Sequence, residues 1–281
     1  MISSTKNKYI IVGKSGVGKD YIAKLFENSG KVRLITYATR PPRFEEENTH
    51  IFISPEQGAA VDPSAKFLQT DVVGYEYFTT REDIDKSDIL ILDPKGVKEI
   101  LERMPEQGFH VIYVSADPAE RMNAALIRQD RRLAKACPVL GTQLNLLRSQ
   151  KNEVLFKHAY EQTLEDAFKN IGEGNELSYK EKQELSEGID EVYQRFQGEE
   201  QAFNEFESIF FGWLRASRYQ AEKGENIGIP ENVLFVWNVE NTFEPAKITE
   251  KVQEILRTDE MAMKMCGRLA CVMPDLPGHS I

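Results

Sequence analysis

A glycine-rich segment near the start of the chain constrains the fold more than any other feature. It reads Gly-Lys-Ser-Gly-Val-Gly-Lys over residues 13–19, after a short apolar run at 8–12 and before a stretch with helical spacing. In the pattern G-x-x-x-x-G-K between a strand and a helix, successive backbone N–H groups cradle phosphates and the lysine reaches the β- and γ-phosphates. The start of the helix adds a partial positive charge. The sequence therefore predicts a phosphate-binding loop, and its candidate residues are Gly13, Lys14, Ser15, Gly16, Val17, Gly18, Lys19 and Asp20.

Asp20 stands directly after this loop, where the usual motif has Ser or Thr. A hydroxyl at this position ligates Mg²⁺ directly, whereas a carboxylate can hold the ion either directly or through water. Asp20 is therefore a candidate metal ligand, and both modes of contact remain open.

Three further apolar runs are continuous rather than alternating, and each precedes a helix-like stretch. Continuous runs are typical of strands covered on both faces, as in a parallel sheet flanked by helices. The sequence therefore predicts an α/β fold. The runs are at 88–93, 109–115 and 233–237.

The chain between residues 134 and 232 has no strand-like run, and its apolar residues repeat with helical spacing. From Leu185 through Trp213 the steps alternate between four and three residues, which predicts one long helix. An upstream set from Leu144 to Phe168 has similar spacing, and Gly172 to Asn175 between the two has turn composition. We expect an inserted helical hairpin, and it either projects from the domain or lies on the sheet as an extra layer.

These patterns divide the chain into three parts. Residues 1–133 and 233–257 form the predicted core, 134–232 the helical insertion and 258–281 a C-terminal tail. A homo-oligomer in which the helical insertions of two copies pack together remains an open alternative.

Charge and composition limit the partners. The chain has 45 Asp and Glu against 35 Lys and Arg, and a net charge of −10 repels polyanions, so we expect no nucleic-acid partner. Three cysteines are too few for a disulfide framework and fit a reducing compartment. No apolar run approaches about 18 residues, and the N-terminal segment lacks a signal-peptide core. We therefore expect a cytoplasmic protein without a membrane partner.

A second cluster of candidate residues lies at 36–43, Thr-Tyr-Ala-Thr-Arg-Pro-Pro-Arg. Arg40 and Arg43 are three residues apart and are stiffened by two prolines, which suits planar, bidentate contacts to phosphate. The cluster follows the first helix of a phosphate-loop domain. We interpret it as part of the binding site for a phosphate acceptor.

Six segments follow one another along the chain in a characteristic order and spacing. They are GKSGVGK, TYATRPPR, THIFIS, GYEYFTTRE, LILDPKGVK and FVWNVE. Together they resemble the guanylate kinase family of P-loop nucleoside monophosphate kinases. The resemblance covers residues 8–133 and 233–256, and it implies the three-layer P-loop NTPase fold with a parallel sheet.

The resemblance also implies roles for individual residues. Lys19 and the loop amides would hold the ATP phosphates, while Arg40 and Arg43 would grip the acceptor phosphate. Arg128, Arg131 and Arg132 fall where the family's lid arginines begin, which would make them catalytic cations. The remaining acceptor-side candidates implied by the family are Thr36, His50, Gln69, Tyr77, Thr79 and Asp93.

Asp93 has two interpretations. The family's acidic residue at the end of this strand implies support for Mg²⁺ or for the base. A carboxylate before Pro94 is also typical of a helix N-cap, and both roles are compatible.

Three positions depart from the family pattern, all on the acceptor side. Gln69 stands where the family has a glutamate that reads guanine, and its amide offers one acceptor and one donor group rather than a carboxylate. His50 replaces a phosphate-binding tyrosine, and Glu76 replaces an aromatic residue.

The sequence therefore predicts an ATP-dependent nucleoside monophosphate kinase that uses Mg²⁺ and acts on GMP, dGMP or a related (deoxy)nucleotide. Lys19-Asp20 and the segment at 47–51 also resemble ribose bisphosphate phosphokinases, which would make the acceptor a sugar phosphate. A third alternative is a guanylate-kinase-like interaction module that binds protein without catalysis.

Overall fold

A computed structural model of the chain describes most of the predicted core and one long inserted helix. The described residues are 7–42, 45, 50–72, 74–132, 162, 165–166, 168–169, 171, 177–223 and 228–270. The described strands are β1 (Lys8–Val12), β2 (Tyr37–Ala38), β3 (Ile51–Phe52), β4 (Lys66–Val72), β5 (Tyr75–Thr80), β6 (Ile89–Leu92), β7 (Phe109–Ser115) and β8 (Val233–Glu240). The described helices are α1 (Lys19–Asn28), α2 (Pro55–Ala59), α3 (Arg81–Lys86), α4 (Pro94–Arg103), α5 (Pro118–Gln129), α6 (Tyr179–Lys223) and α7 (Pro245–Ala270).

A parallel sheet of four strands in the order β6-β1-β7-β8 forms the centre of the molecule. In the register of its strands, Ile10 of β1 lies between Leu90 of β6 and Val111 of β7. The loop that follows β1 therefore lies at the carboxyl edge of the sheet, beside the ends of β6 and β7. This sheet, flanked by helices, confirms the predicted α/β class.

Both faces of the sheet are covered, which explains why its strands are apolar without alternation. Ile10 and Val12 face α4 and α6, whereas Tyr9 and Ile11 face α1 and α7. All four of these side chains are fully buried. The result is three layers, with helices on each side of the sheet.

A second sheet stands beside the first, with the strand order β3-β2-β5-β4. β2 pairs with β3 in parallel and with β5 antiparallel, and β4 pairs antiparallel with β5. The pairing of β4 shifts between Phe67 and Thr70, where Leu68 has a φ of 56°. Such a bulge bends the strand and re-aims the side chains that follow.

Helix α6 occupies the region where apolar spacing predicts one long helix. Its C-terminal half places Phe203, Phe206 and Phe210 in the same core cluster as β1, β6 and β7. Its N-terminal half packs Ile189 and Phe196 against α5. The C-terminal half of α6 therefore forms an extra layer on the sheet, and its N-terminal half covers α5.

The other half of the predicted hairpin falls largely outside the described residues. This applies to the turn at 172–175 and to the upstream apolar positions, of which Phe168 alone is described and packs near α5. The pairing of the two arms remains a prediction.

Helix α7 runs through residue 258, the predicted start of the C-terminal tail. Asp259 on this helix is buried and accepts hydrogen bonds from Tyr9 Oη at 2.5 Å and Asn7 Nδ2 at 2.7 Å, and His110 Nε2 lies 3.1 Å from it. The start of this segment therefore packs with the core. In the described part of the chain, no helix is long and apolar enough to cross a membrane.

Candidate functional site

The glycine-rich segment forms a tight loop between β1 and α1 that only glycine can follow at two positions. Gly16 and Gly18 have φ values of 81° and 85°, in the left-handed region that other residues rarely adopt. A Cβ at Gly16 would lie 2.3 Å from the backbone oxygen of Arg121. The glycines thus allow close approach to α5 and a sharp entry into α1.

Two side chains from distant parts of the chain brace the loop. Arg121 on α5 is buried and donates from Nε to the Ser15 carbonyl oxygen at 3.1 Å. Asn241, just after β8, donates from Nδ2 to the Val17 carbonyl oxygen at 2.8 Å. Neither residue is among the sequence-predicted site residues, because neither belongs to a local motif that identifies it.

Lys19 lies at the first turn of α1 and folds back over the loop. Its Nζ donates to the carbonyl oxygens of Gly13 at 2.6 Å and Lys14 at 3.0 Å. Burial lowers the pKa of Lys19 to about 8, although the carboxylates of Glu199 and Asp20 act in the opposite direction. Its cation is thus held in a partly desolvated setting, where attraction to an anion is stronger than in water.

Helix α6 places a carboxylate directly on the loop. Glu199 Oε2 accepts a hydrogen bond from the Ser15 backbone N–H at 2.8 Å, and Glu199 Oε1 accepts another from the Ser15 hydroxyl. Arg121 Nη2 lies 3.5 Å from Glu199 Oε2. An anion thus already contacts the loop where the sequence predicts phosphate.

A cavity of about 500 Å³ opens between the loop, the end of β6 and α6, and we call it the loop cavity. It contains cations and carboxylates together, including Lys19, Asp93 and Glu199. Its lining residues are Gly13, Lys19, Ile91, Leu92, Asp93, Pro94, Lys95, Arg195, Gly198, Glu199, Ala202 and Phe203.

A second cavity, of about 270 Å³, opens between the small sheet and α4, and we call it the sheet cavity. Its lining residues are Thr36, Leu68, Gln69, Thr70, Tyr77, Ile91, Leu92, Asp93, Lys95, Gly96 and Glu99. It contains the predicted acceptor residues Thr36, Gln69, Tyr77 and Asp93. It shares one wall with the loop cavity, formed by residues 91, 92, 93 and 95.

Four of the predicted acceptor residues form one cluster beside the sheet cavity. Thr36 Oγ1 lies 2.9 Å from His50 Nδ1, and the His50 and Tyr77 rings meet edge to face at 5.3 Å. Arg40 Nε donates to Tyr77 Oη at 3.0 Å, and its guanidinium lies over the Phe52 ring. Arg40 is buried in this arrangement, so its side chain is fixed by the small sheet.

Gln69 lies at the bulge of β4 and is held by a carboxylate. Its Nε2 donates to Glu76 Oε1 at 2.7 Å, and Lys66 Nζ lies 2.6 Å from the same oxygen. The backbone N–H of Leu68 donates to Glu99 of α4 at 3.1 Å. A carboxyl group therefore lies directly beside Gln69, at position 76.

The remaining acceptor-side candidates differ in accessibility. Thr79 is fully buried, and its hydroxyl has no hydrogen-bond partner among the described residues. Asp93 caps α4, since its Oδ1 accepts from the Gly96 backbone N–H at 2.7 Å, and it also lies on the wall between the two cavities. The N-cap role that the sequence predicts for Asp93 is therefore present, and a ligand role remains compatible with it.

Asp20 lies outside the lining of the loop cavity. Its carboxylate is largely exposed and pairs with Arg33 Nη2 at 2.6 Å. It is not among the described residues that line either cavity. Its assignment as a metal ligand remains a prediction.

The predicted catalytic arginines lie in different surroundings. Arg43 falls outside the described residues. Arg128 is exposed in the last turn of α5. It is close enough to Lys19 to lower the pKa of that lysine, after the larger effects of burial, the two carboxylates and Arg121. Arg131 and Arg132 are exposed beyond it, and Arg132 pairs with Asp130 at 2.8 Å. None of the described three lines either cavity.

Guanylate kinase is among the solved structures that are similar to this chain. The crystal structure of guanylate kinase from Anaplasma phagocytophilum is similar to this chain with a TM-score of 0.31 and 20% sequence identity. The match covers 49% of this chain and 72% of that chain. No protein-family model matches the chain, and no curated protein matches it.

Proposed function

We propose that the protein is an ATP-dependent nucleoside monophosphate kinase that transfers the γ-phosphoryl group to GMP, dGMP or a related (deoxy)nucleotide. The observation that carries the proposal is the common wall of the two cavities. Gly13 and Lys19 of the phosphate loop line one of them, and Thr36, Gln69 and Tyr77 line the other. A donor phosphate in the first and an acceptor phosphate in the second would meet beside Asp93 and Lys95.

In the proposed transfer, the protein forms no covalent intermediate with the phosphoryl group. An oxygen of the acceptor phosphate attacks the γ-phosphorus, the bond from phosphorus to the β–γ bridging oxygen breaks, and ADP leaves. No general base is required, because the attacking oxygen is already anionic. The protein aligns the two phosphates and neutralises charge, which is the role we assign to Lys19, to the loop amides and to Lys95.

The acceptor side orients the monophosphate through a fixed polar cluster. Arg40 and Tyr77 hold each other in place, and Thr36 and His50 do the same. Because these side chains are already positioned, binding costs little further side-chain entropy. We propose that this cluster binds the acceptor phosphate, and that Arg43, which lies outside the described residues, contributes to the same site.

Mg²⁺ would neutralise charge on the bridging phosphates during transfer. The ion usually binds one or two carboxylates and completes its shell with phosphate oxygens and water. Asp93 fits this role because its carboxylate is exposed on the wall that the two cavities share. Asp20 fits it less well, since it pairs with Arg33 outside the cavity lining.

Initial rates of ADP formation test the proposal. ATP is combined with each ribo- and deoxyribonucleoside monophosphate in turn, and with ribose 1,5-bisphosphate. We expect transfer to at least one guanine monophosphate. Transfer to ribose 1,5-bisphosphate alone would make the protein a sugar-phosphate kinase, and ATP binding without transfer to any acceptor would favour a non-catalytic module.

A further inference from the structure

A row of acidic side chains on α6 lies against the phosphate loop, and we call Glu199, Glu200 and Glu207 the acidic row. Glu199 contacts Ser15 as described above. Lys14 Nζ lies 2.9 Å from Glu207 and 3.5 Å from Glu200. The loop is thus covered by carboxylates from a helix distant in sequence.

Glu199 accepts hydrogen bonds from the same kinds of donor that would bind a phosphate group. Its two oxygens accept from a loop backbone N–H and from a hydroxyl, and a buried guanidinium lies 3.5 Å away. Oriented backbone amides in such loops bind anions because their partial positive charges converge. A carboxylate in this position has the charge and the acceptor oxygens of a bound phosphate.

The helix backbone itself is anchored, so the side chain is the part that can leave. Phe203 and Phe210 on the following turns are buried in the core. Glu207 is held by Lys14 and also accepts from Tyr113 Oη. Glu199 lies on the wall of the loop cavity, where a ligand in the cavity would meet its carboxylate, and Glu207 is not part of that wall.

The cavity offers a released Glu199 carboxylate another cation. Arg195 is four residues earlier on α6 and lines the same cavity. Side chains at this spacing lie on one helix face and can pair. Arg195 pairs in this structure with Glu191 at 2.9 Å.

We propose that Glu199 is an autoinhibitory contact: it occupies an anion position of the phosphate loop in the resting protein, and the donor phosphates displace it. The inference rests on the proposed nucleotide-binding function of the loop and adds its regulation. The open loop is then only a fraction of the resting population, and the apparent affinity for donor falls by that fraction. A contact present in about nine of ten molecules raises the apparent Kd about tenfold.

Calorimetric titration of the full chain tests this inference. The probes are MgATP, ATP with a chelator, and inorganic tripolyphosphate, which carries the phosphate chemistry alone. The variants are Glu199→Ala and Glu199→Gln, and the control is Glu205→Gln, an exposed glutamate on the same helix that lies away from the loop. Thermal melts show whether each variant is folded.

We expect Glu199→Ala to lower the Kd of all three probes about tenfold. Glu199→Gln should lower it less, because its amide keeps an acceptor oxygen but loses the charge. The control should match the wild type. Since tripolyphosphate has no base or sugar, a lower Kd for it in Glu199→Ala would indicate that the Glu199 carboxylate and the phosphates compete for the same position.

Unchanged binding in both Glu199 variants would overturn the inference. So would weaker MgATP binding with unchanged binding in chelator, because Glu199 would then be a metal ligand. Absence of binding in every protein would overturn both this inference and the proposed function. Tighter binding to the Glu199 variants, without transfer to any acceptor by the wild type, would support the inference and contradict the proposed function. Transfer by the wild type, with a Kd that is unchanged in the Glu199 variants, would support the proposed function and contradict the inference.

Discussion

Lys19 is the residue on which the proposed transfer depends most. Its ammonium is held over the loop by two carbonyl oxygens and is partly desolvated. We expect Lys19→Ala to lower the transfer rate by about 10²-fold or more, because a preorganised cation no longer stabilises the breaking bond. The assay is the initial rate with saturating ATP and acceptor.

Lys24→Ala is the matched control for this substitution. Lys24 lies on the same helix, is exposed, and pairs only with nearby Glu27 at 3.1 Å among the contacts described. Its removal should leave turnover unchanged. A Lys19→Ala variant as active as Lys24→Ala would contradict the kinase assignment.

Asp259 carries a second prediction at this scale, on stability. Burial by itself raises the pKa of Asp259, but hydrogen bonds from His110, Tyr9 and Asn7 outweigh it and hold the pKa below the usual range. A carboxyl whose pKa is lowered by folding stabilises the protein above its ordinary pKa of about 3.9, and that stability is lost as the pH falls further.

We therefore expect Asp259→Asn to lower the free energy of unfolding at pH 7 by about 1–3 kcal/mol, since the amide loses the charge and replaces one of the two acceptor oxygens by an N–H donor. The difference from the wild type should shrink below about pH 4, where the wild-type carboxylate begins to lose its advantage. Urea titrations at pH 7 and pH 3.5 measure it. A difference that stays constant over this range would contradict the role of the charge.

Among the elements, the bulge of β4 places Gln69, the proposed base-reading residue, beside Glu76 of the neighbouring strand β5. Because Gln69 donates to Glu76, the single change Gln69→Glu would place two carboxylates together beside Lys66. We expect this variant alone to gain little selectivity for guanine. The combined change Gln69→Glu and Glu76→Gln reverses donor and acceptor and keeps the hydrogen bond.

The combined variant should raise the ratio of kcat/KM for GMP or dGMP over the other monophosphates. A carboxylate can accept from both N–H groups of guanine, and a mismatched base leaves polar groups unpaired at about 1–3 kcal/mol each. Rates for each monophosphate in the wild type, both single variants and the combined variant test this. Equal selectivity in all four would exclude position 69 from base recognition.

The elements differ in how far sequence determines them. The phosphate loop, the parallel strands and the long helix are predictable because each depends on residues adjacent in the chain. The contact of Glu199 with Ser15 depends on where α6 packs, and no local pattern encodes it. The hydrogen bond from Arg121 to the loop is of the same kind. The pairing of Gln69 with Glu76 requires the bulge, whose left-handed residue is Leu68 rather than glycine.

At the scale of the whole molecule, α6 belongs to the core rather than to an appendage. Phe210 is fully buried between the helix and the sheet, whereas its neighbour Ile209 is 46% exposed. We expect Phe210→Ala to destabilise the protein by about 3–5 kcal/mol, the usual cost of emptying a buried aromatic site. Ile209→Ala should cost far less.

Chemical denaturation of the two variants distinguishes the arrangements left open by the sequence. If the helix projected from the domain, neither substitution would change the free energy of unfolding of the core. Similar, small effects of Phe210→Ala and Ile209→Ala would therefore contradict the extra-layer arrangement.

In the proposed reaction, the donor and acceptor phosphates meet beside Asp93 and Lys95, in the lining that the two cavities share. The most direct test is the binding of a double-ended nucleotide in which adenosine and guanosine are joined by five phosphates. If both cavities bind this ligand at once, binding of its second end becomes intramolecular after the first end has bound. Its Kd should therefore be at least about 100-fold lower than that of ATP or GMP alone. Lys19→Ala and Tyr77→Phe should each weaken it, since they act at opposite ends. A Kd no lower than that of ATP, insensitive to Tyr77→Phe, would contradict the account.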